Sequence, residues 1–403
     1  MTNIHELISE LVPQGVKHVA LAEVATYSST RVDAVELDET NFVGVDNMVS
    51  DKGGRVDASY LPNTARLTAY EPGDILIGNI RPYLKKVWLA TNSGGCSGDV
   101  LALRVTPEYR ASLDARFLYY LLSSDGFFAF DMRHSKGSKM PRGDKSAIMN
   151  YRIPLPPIKV QREVVRVLDQ FNMLIVELEG ELRARQKQRL ALAVNFEVAL
   201  RDASPNKSEV VKLGDLVRES ISPVLLKDDE SYVTIGVRWN GEGVLFREPK
   251  QGSQIKAQTL YRVNPGQLVY NRMFVVEGSF AVVPPEARGV VVSGEFPAFD
   301  IDETKVHPQW LINFLTSRHT LSRIEKQVTG TERGSMKSRR RWKSNQFTDF
   351  DILLPSLEWQ LREVALLRKC DDLISELQAE LKARHDQFEY YRDKLLTFQD
   401  DVA

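Results

Sequence analysis

Residues Val160–Gln188 read VQREVVRVLDQFNMLIVELEGELRARQKQ, and Trp359–Gln387 read WQLREVALLRKCDDLISELQAELKARHDQ. The two stretches align without a gap at an offset of 199 residues. Identities include Gln161/Gln360, Leu168/Leu367, Leu174/Leu373, Ile175/Ile374, Glu177/Glu376, Leu178/Leu377, Glu181/Glu380, Leu182/Leu381, Ala184/Ala383, Arg185/Arg384 and Gln188/Gln387. Most are spaced as on a helix. Val164, Val167, Phe171, Leu174 and Leu178 step by three and four, and Leu182 follows by four. In the second copy Leu366, Cys370, Leu373 and Leu377 do the same and Leu381 follows, after which Arg384, Phe388, Tyr391 and Leu395 resume the pattern. This predicts a coiled-coil seam with a stutter at one shared position. Two such helices in one chain pack most simply on each other.

The duplication reaches beyond the helices. Pro72-Gly73 matches Pro265-Gly266, Ser97-Gly98 matches Ser293-Gly294, Gly137-Ser138 matches Gly334-Ser335, and Pro156 matches Pro355. The offset drifts as small loop insertions would make it drift. The predicted fold is α/β: two globular units related by internal duplication, separated by two long helices forming an antiparallel coiled coil. The boundaries are 1–157, 158–204, 205–356 and 357–403. Strands are expected at Ile75–Ile80, Val87–Ala90 and Val100–Val105, and at Tyr232–Val237, Gln267–Tyr270, Ser279–Val283 and Val290–Val292. Ala115–Ser123 and Gln309–Ser317 read as helices. Ile153-Pro154-Leu155-Pro156-Pro157 and Ile352-Leu353-Leu354-Pro355 are exits from the units into the long helices.

At 403 residues, 43% hydrophobic and 27% charged, the chain is long enough for two cores. No apolar run is long enough to span a bilayer, and the first residues lack the basic-then-apolar order of a signal peptide. Cys96 and Cys370 make no disulfide framework, so a cytoplasmic protein is expected. The formal net charge is −1, yet basic residues cluster. Arg133, Lys136, Lys139, Arg142 and Lys145 lie in one stretch, and Arg333, Lys337, Arg339, Arg340, Arg341 and Lys343 in the equivalent stretch of the second unit. Such residues bind phosphates and read guanine edges, and a neighbouring Gly-Ser lets backbone approach DNA. Arg81, Lys85 and Lys86 after one strand, and Arg272 near the matching place, are further DNA-binding candidates. Trp239, Trp342, Tyr83 and Tyr151 are weighed as base or sugar contacts against the commoner role of core aromatics.

The whole chain resembles the specificity (S) subunit of type I restriction–modification enzymes. The proline exit at 153–157 followed by Gln161 is similar to that family's junction between recognition domain and helix. The ending Phe388-Glu389-Tyr390-Tyr391-Arg392-Asp393-Lys394-Leu395-Leu396-Thr397-Phe398 resembles its terminal motif, and His5–Val24 its entry into a first recognition domain. The resemblance implies a subunit without chemistry of its own, carrying two target recognition domains for the halves of a split double-stranded DNA site. The helices would be spacer and docking surface for two methyltransferase subunits using S-adenosylmethionine. Motor–nuclease restriction subunits using ATP and magnesium would join them. The second exit, Leu353-Leu354-Pro355-Ser356, departs from the family's double proline.

The residues give no competing catalytic centre. There is no phosphate-binding Gly-x-x-x-x-Gly-Lys-Ser/Thr loop and no Asn/Asp-Pro-Pro-aromatic motif, and the histidines and cysteines have no metal-ligand spacing. Gly94-Gly95-Cys96-Ser97-Gly98 mimics a nucleophile elbow. Asp300, Glu303 and Lys305 mimic a nuclease triad. The rival readings are an independent two-domain DNA-binding regulator that dimerises through its helices, and a fused methyltransferase or nuclease.

Overall fold

The structure, a computed structural model, describes residues 10–202, 208–220, 222–257, 259–329 and 341–400. The chain divides into two compact units. One comprises Met1–Gly180 with Gln378–Ala403, the other Glu181–Leu377. Each unit therefore takes part of both long helices, Ile158–Asp202 and Leu357–Leu396.

In the first unit, strand His18–Ala20 pairs antiparallel with Arg152–Pro154 at the exit to the helix. A four-stranded antiparallel sheet follows in the order 25–27, 100–105, 75–78, 87–89. Its central strand Ile75–Gly78 is buried on both faces, which explains its unbroken apolar run. Ile75, Ile77, Leu101 and Leu103 pack with Phe117, Leu118 and Phe127 of the helices Ala115–Leu122 and Asp125–His134. Leu76 and Ala102 face the other way, onto Val43, Met48, Tyr70 and Cys96. Those belong to a second sheet in the order 31–33, 66–70, 94–96, 42–43, or to the loop behind it.

The second unit repeats this plan. Ser208–Lys212 pairs with Asp351–Pro355, and a four-stranded sheet runs 217–219, 298–301, 268–270, 280–282. Helices Pro308–Thr316 and Arg318–Thr329 cover it. The core is more aromatic: Tyr270, Phe280, Phe299, Trp310, Trp342 and Phe347 are all buried. The strand expected at Tyr232–Val237 is interrupted. Ser231–Tyr232 pairs with Lys250–Gln251 and Ile235–Val237 with Val244–Phe246, while Thr234 between them bridges to Val291.

Equivalent turns use one geometry with different chemistry. Gly73 at φ 90° and Gly266 at φ 87° take the left-handed conformation that the turns require. The next residue closes each turn: Asp74 accepts from the Glu71 amide at 2.9 Å, Gln267 from the Asn264 amide at 2.8 Å. Each then reaches across its sheet. Arg104 donates to Asp74 through two nitrogens at 2.8 and 2.7 Å, whereas Gln267 donates to Asp300 at 2.7 Å.

The junctions are more alike still. Buried Gln161 donates to the carbonyls of Pro156 at 2.7 Å and Ser112 at 2.8 Å, and accepts from the Asp114 amide at 2.9 Å. Buried Gln360 donates to Pro355 at 2.9 Å and Lys305 at 3.1 Å, and accepts from the His307 amide at 2.8 Å. One side chain thus ties the helix start, the proline exit and the loop before a sheet-covering helix together. The second exit keeps this geometry without a double proline.

Within each unit the long helices run antiparallel. In the first, Phe171 stacks on Tyr391 at 5.4 Å, and Glu179 lies 3.9 Å from His385. In the second, Arg189 pairs with Asp371 at 2.7 Å, and Phe196 meets Trp359 edge-on at 5.3 Å. Four of the expected seam residues lie outside the packed stripe: Val167 is buried but off it, and the other three are turned toward solvent. Leu174 is 46% exposed where Ile175 is 6%; Leu366 is 36% exposed where Leu367 is 4%; Leu373 is 45% exposed, and its neighbour Ile374 is half-buried. The observed stripe is Val164, Leu168, Phe171, Ile175, Leu178, Leu182 in one helix and Leu367, Cys370, Ile374, Leu377, Leu381 in the other. Its steps alternate four and three without a break, so the expected stutter vanishes. Adjacent apolar pairs, Leu174-Ile175 and Leu373-Ile374, allowed two phases on sequence spacing alone.

Candidate nucleic-acid interface

In the first unit the basic candidates form a rim around a cleft. After strand Ile75–Gly78 the chain makes a tight loop in which Arg81 (φ 52°) and Lys85 (φ 49°) flank the turn Pro82–Leu84. Both are left-handed without being glycine, a conformation that costs about 1–2 kcal/mol and persists only where the surroundings hold it. The surroundings do hold it. The Arg81 amide donates to the Pro141 carbonyl at 2.7 Å, and Ile80 bridges to Arg142. Lys136 and Arg142 exchange backbone bonds at 2.9 Å across the turn at Gly137, so the loop 136–142 is a small hairpin sewn to the Arg81 loop. Arg81, Lys136, Lys139 and Arg142 are exposed together on this rim.

The candidates differ in what else they touch. Lys136 pairs with Asp144 at 2.5 Å, a contact that holds the Asp144 carboxyl well below the ordinary range. Arg142 pairs with Asp99 at 3.2 Å. Arg133 and Lys145 are exposed beside the hairpin. Lys86 lines the cleft, but its ammonium donates to the Val45 carbonyl at 2.7 Å. Lys85 pairs with Asp125 at 2.8 Å, as does Lys52. Burial would raise the Asp125 carboxyl, yet these two lysines hold it down at about 2. Buried Arg392 of the terminal motif lies 3.7 Å from the same carboxylate and 2.9 Å from Asp393. Lys85 therefore helps dock the end of the C-terminal helix onto the first unit.

The cleft encloses about 840 Å³ between the second sheet and this rim. It brings in residues that sequence reading missed: Arg31, Arg66 and the half-exposed Tyr60, whose hydroxyl donates to Asp46. The only signal was a polar–apolar alternation, Arg31-Val32-Asp33 and Arg66-Leu67-Thr68, too short to stand out. Tyr83 is exposed on the rim, while Tyr151 packs against Phe127 and Phe130.

In the second unit Arg272 occupies the place of Arg81. Its carbonyl accepts from the Trp342 amide at 3.0 Å and its guanidinium donates to Ser344 at 3.0 Å, leaving it half-buried with Nε unpaired among the described residues. Trp342 is buried core, donating to Gln327 at 2.9 Å. Arg341 pairs with Glu295 at 2.8 Å, and Lys343 is exposed. Arg333, Lys337, Arg339 and Arg340 lie outside the described residues. Trp239 stays exposed on a turn, 6.1 Å from Phe274.

The catalytic look-alikes dissolve. Cys96 lies in a sheet strand, and burial pushes its thiol up to about 12, so it holds no thiolate at neutral pH. Asp300 is bound to Gln267 and Lys305 to Asp302. Among the described residues no group of His, Cys, Asp and Glu is placed to hold a metal ion, and no helix is long and apolar enough to cross a membrane.

The two units share one sheet-and-helix plan, each joined to a long helix by a buried glutamine, and the first carries a basic-rimmed cleft. Residues 13–186 match the family described as Type I restriction modification DNA specificity domain. A putative type I specificity subunit of Mycoplasma pneumoniae is 22% identical over 335 residues, covering 80% of this chain and 83% of its own. A type I restriction enzyme specificity subunit of Methanocaldococcus jannaschii is 22% identical over 431 aligned positions, covering 98% of this chain and 94% of its own. The crystal structure of an HsdS subunit from Thermoanaerobacter tengcongensis shares the fold with a TM-score of 0.52 at 19% identity, over 96% of this chain and 97% of that one.

Proposed function

We propose that the chain reads a bipartite double-stranded DNA target, one half-site per recognition unit, and presents it to two methyltransferase subunits docked on its helices. The observation that carries this reading is the repeated glutamine clamp. In each unit the same three hydrogen bonds tie the globular domain to the start of its long helix, as two equivalent readers of a split site would require. A second apolar set on the helices supports docking. Met173, Leu174 and Val176, and Leu190, Val194, Leu366 and Leu373, are exposed outside the seam. Apolar residues left at the surface of a helix pair mark a place for further helices. S-adenosylmethionine, and ATP with magnesium for restriction, would be used by the partner subunits, with the whole assembly acting on DNA in the cytoplasm.

The test is co-purification followed by methylation. The chain should capture methyltransferase subunits, and the complex should methylate adenine within two short sequences separated by a fixed gap. Methyl transfer should disappear when this chain is omitted. A chain that binds DNA but captures no methyltransferase would be a free-standing regulator, and methyl transfer by the chain alone would make it an enzyme.

A further inference from the structure

The mixed-charge face of the edge ribbon in the first unit has a chemistry unlike the basic rim. Strand Arg31–Asp33 is the edge of its sheet, and Arg66–Tyr70 lies next to it. Their register sets Arg31 opposite Thr68, Val32 opposite Leu67 and Asp33 opposite Arg66. Side chains alternate across a strand, so Val32 and Leu67 turn to the core while Arg31, Asp33, Arg66 and Thr68 share the outer face. Arg66 Nε lies 2.9 Å from the Asp33 carboxylate, with the two side chains 64% and 54% exposed. Arg31 donates to the Thr68 hydroxyl at 3.2 Å. An ion pair this wet adds little to folding and exchanges partners readily. Arg31, Arg66 and Thr68 line the same cleft as Arg81 and Met140.

We propose that this ribbon face reads base edges of the first half-site, and that Arg66 and Asp33 together recognise one G·C pair, while Arg81 and Lys139 of the rim hold phosphates. The proposal rests on the function proposed above and names its readers. Phosphates attract only cations, so a face that includes a carboxylate is ill suited to grip backbone. Base edges need both signs. Guanine offers O6 and N7 acceptors to a guanidinium, and the paired cytosine offers its N4 amine to a carboxylate in the same major groove. The Arg66–Asp33 contact can therefore open onto one base pair, each partner exchanging the other for a complementary group. Two strands lie about 4.8 Å apart, so a ribbon fits a major groove about 12 Å wide. By contrast, Arg81 and Lys139 have no acidic partner among the described residues.

The experiment uses the chain assembled with its methyltransferase subunits and a DNA library randomised in both half-sites. R66A and D33A should each lose discrimination at the same base pair of one half-site, by roughly five- to 150-fold, leaving the other half-site unchanged. R66Q removes both the charge and the guanidinium fork and should behave like R66A; if R66A does not fold, R66Q decides. R81A and K139A should instead weaken all sequences alike, each lowering the slope of log affinity against log salt by about one. A uniform loss across sequences in R66A and R66Q, or no change in either, overturns the ribbon as reader. Loss of bipartite preference in the unaltered complex would overturn the underlying function instead.

Discussion

Asp131 is fully buried at the base of the basic hairpin, and among the described residues neither carboxylate oxygen has a hydrogen-bond partner; nor does the side-chain oxygen of Asn79 nearby. Only a glycine at 143 lets the chain close here, because a Cβ would come within 2.4 Å of Asp131 Oδ1 and 2.8 Å of Asn79 Oδ1. Burial raises the Asp131 carboxyl to about 6, against a smaller opposing pull from His134. The folded state therefore holds this proton more tightly than the unfolded chain. Stability falls as pH rises from about 4 to 6 and stays lower above that window. Asp131→Asn removes the titration and supplies a donor toward Asn79. It should stabilise the protein at pH 8 by about 2 kcal/mol and give no such gain below pH 4, read as thermal unfolding at both pH values. An equal shift at both would show that the carboxyl is not the cause. Nothing in Phe130-Asp131-Met132 announced this group. Its burial depends on the hairpin folding over it, and that is a tertiary fact.

At the scale of elements, the duplicated helices, the exits and the main strands were legible because periodicity and proline are local signals. The glutamines were visible as identities, but their role was not, since it depends on carbonyls some fifty residues away. The ribbon 31–33/66–70 escaped because short strands carry almost no pattern. The seam was legible in period but not in phase, because Leu174-Ile175 and Leu373-Ile374 are interchangeable apolar pairs and only packing chooses between them. That choice is testable. Ile175→Ala should cost about 2–4 kcal/mol in unfolding free energy as a buried truncation, while Leu174→Ala should cost less than about 1 kcal/mol and weaken capture of methyltransferase subunits. Equal destabilisation by the two would restore the original phase.

At the scale of the whole molecule, the helices should act as a ruler between half-sites. A helix rises about 1.5 Å per residue, so one heptad adds about 10 Å, or about three base pairs. Matched heptad insertions after Glu181 and Glu380 keep the four–three stripe in phase. The methylated site should then gain about three base pairs of gap with both half-sites unchanged. A doubly inserted protein that folds, captures its partners and keeps the original gap would defeat the ruler. Whether the two duplicated units read separately is decided by exchanging one of them. Replacing residues of about 16–150 with the equivalent unit of a relative, and mapping the adenines methylated by the assembled complex, should change one half-site and leave the other half-site and the gap intact. A change in both halves, or in neither, would contradict separate reading.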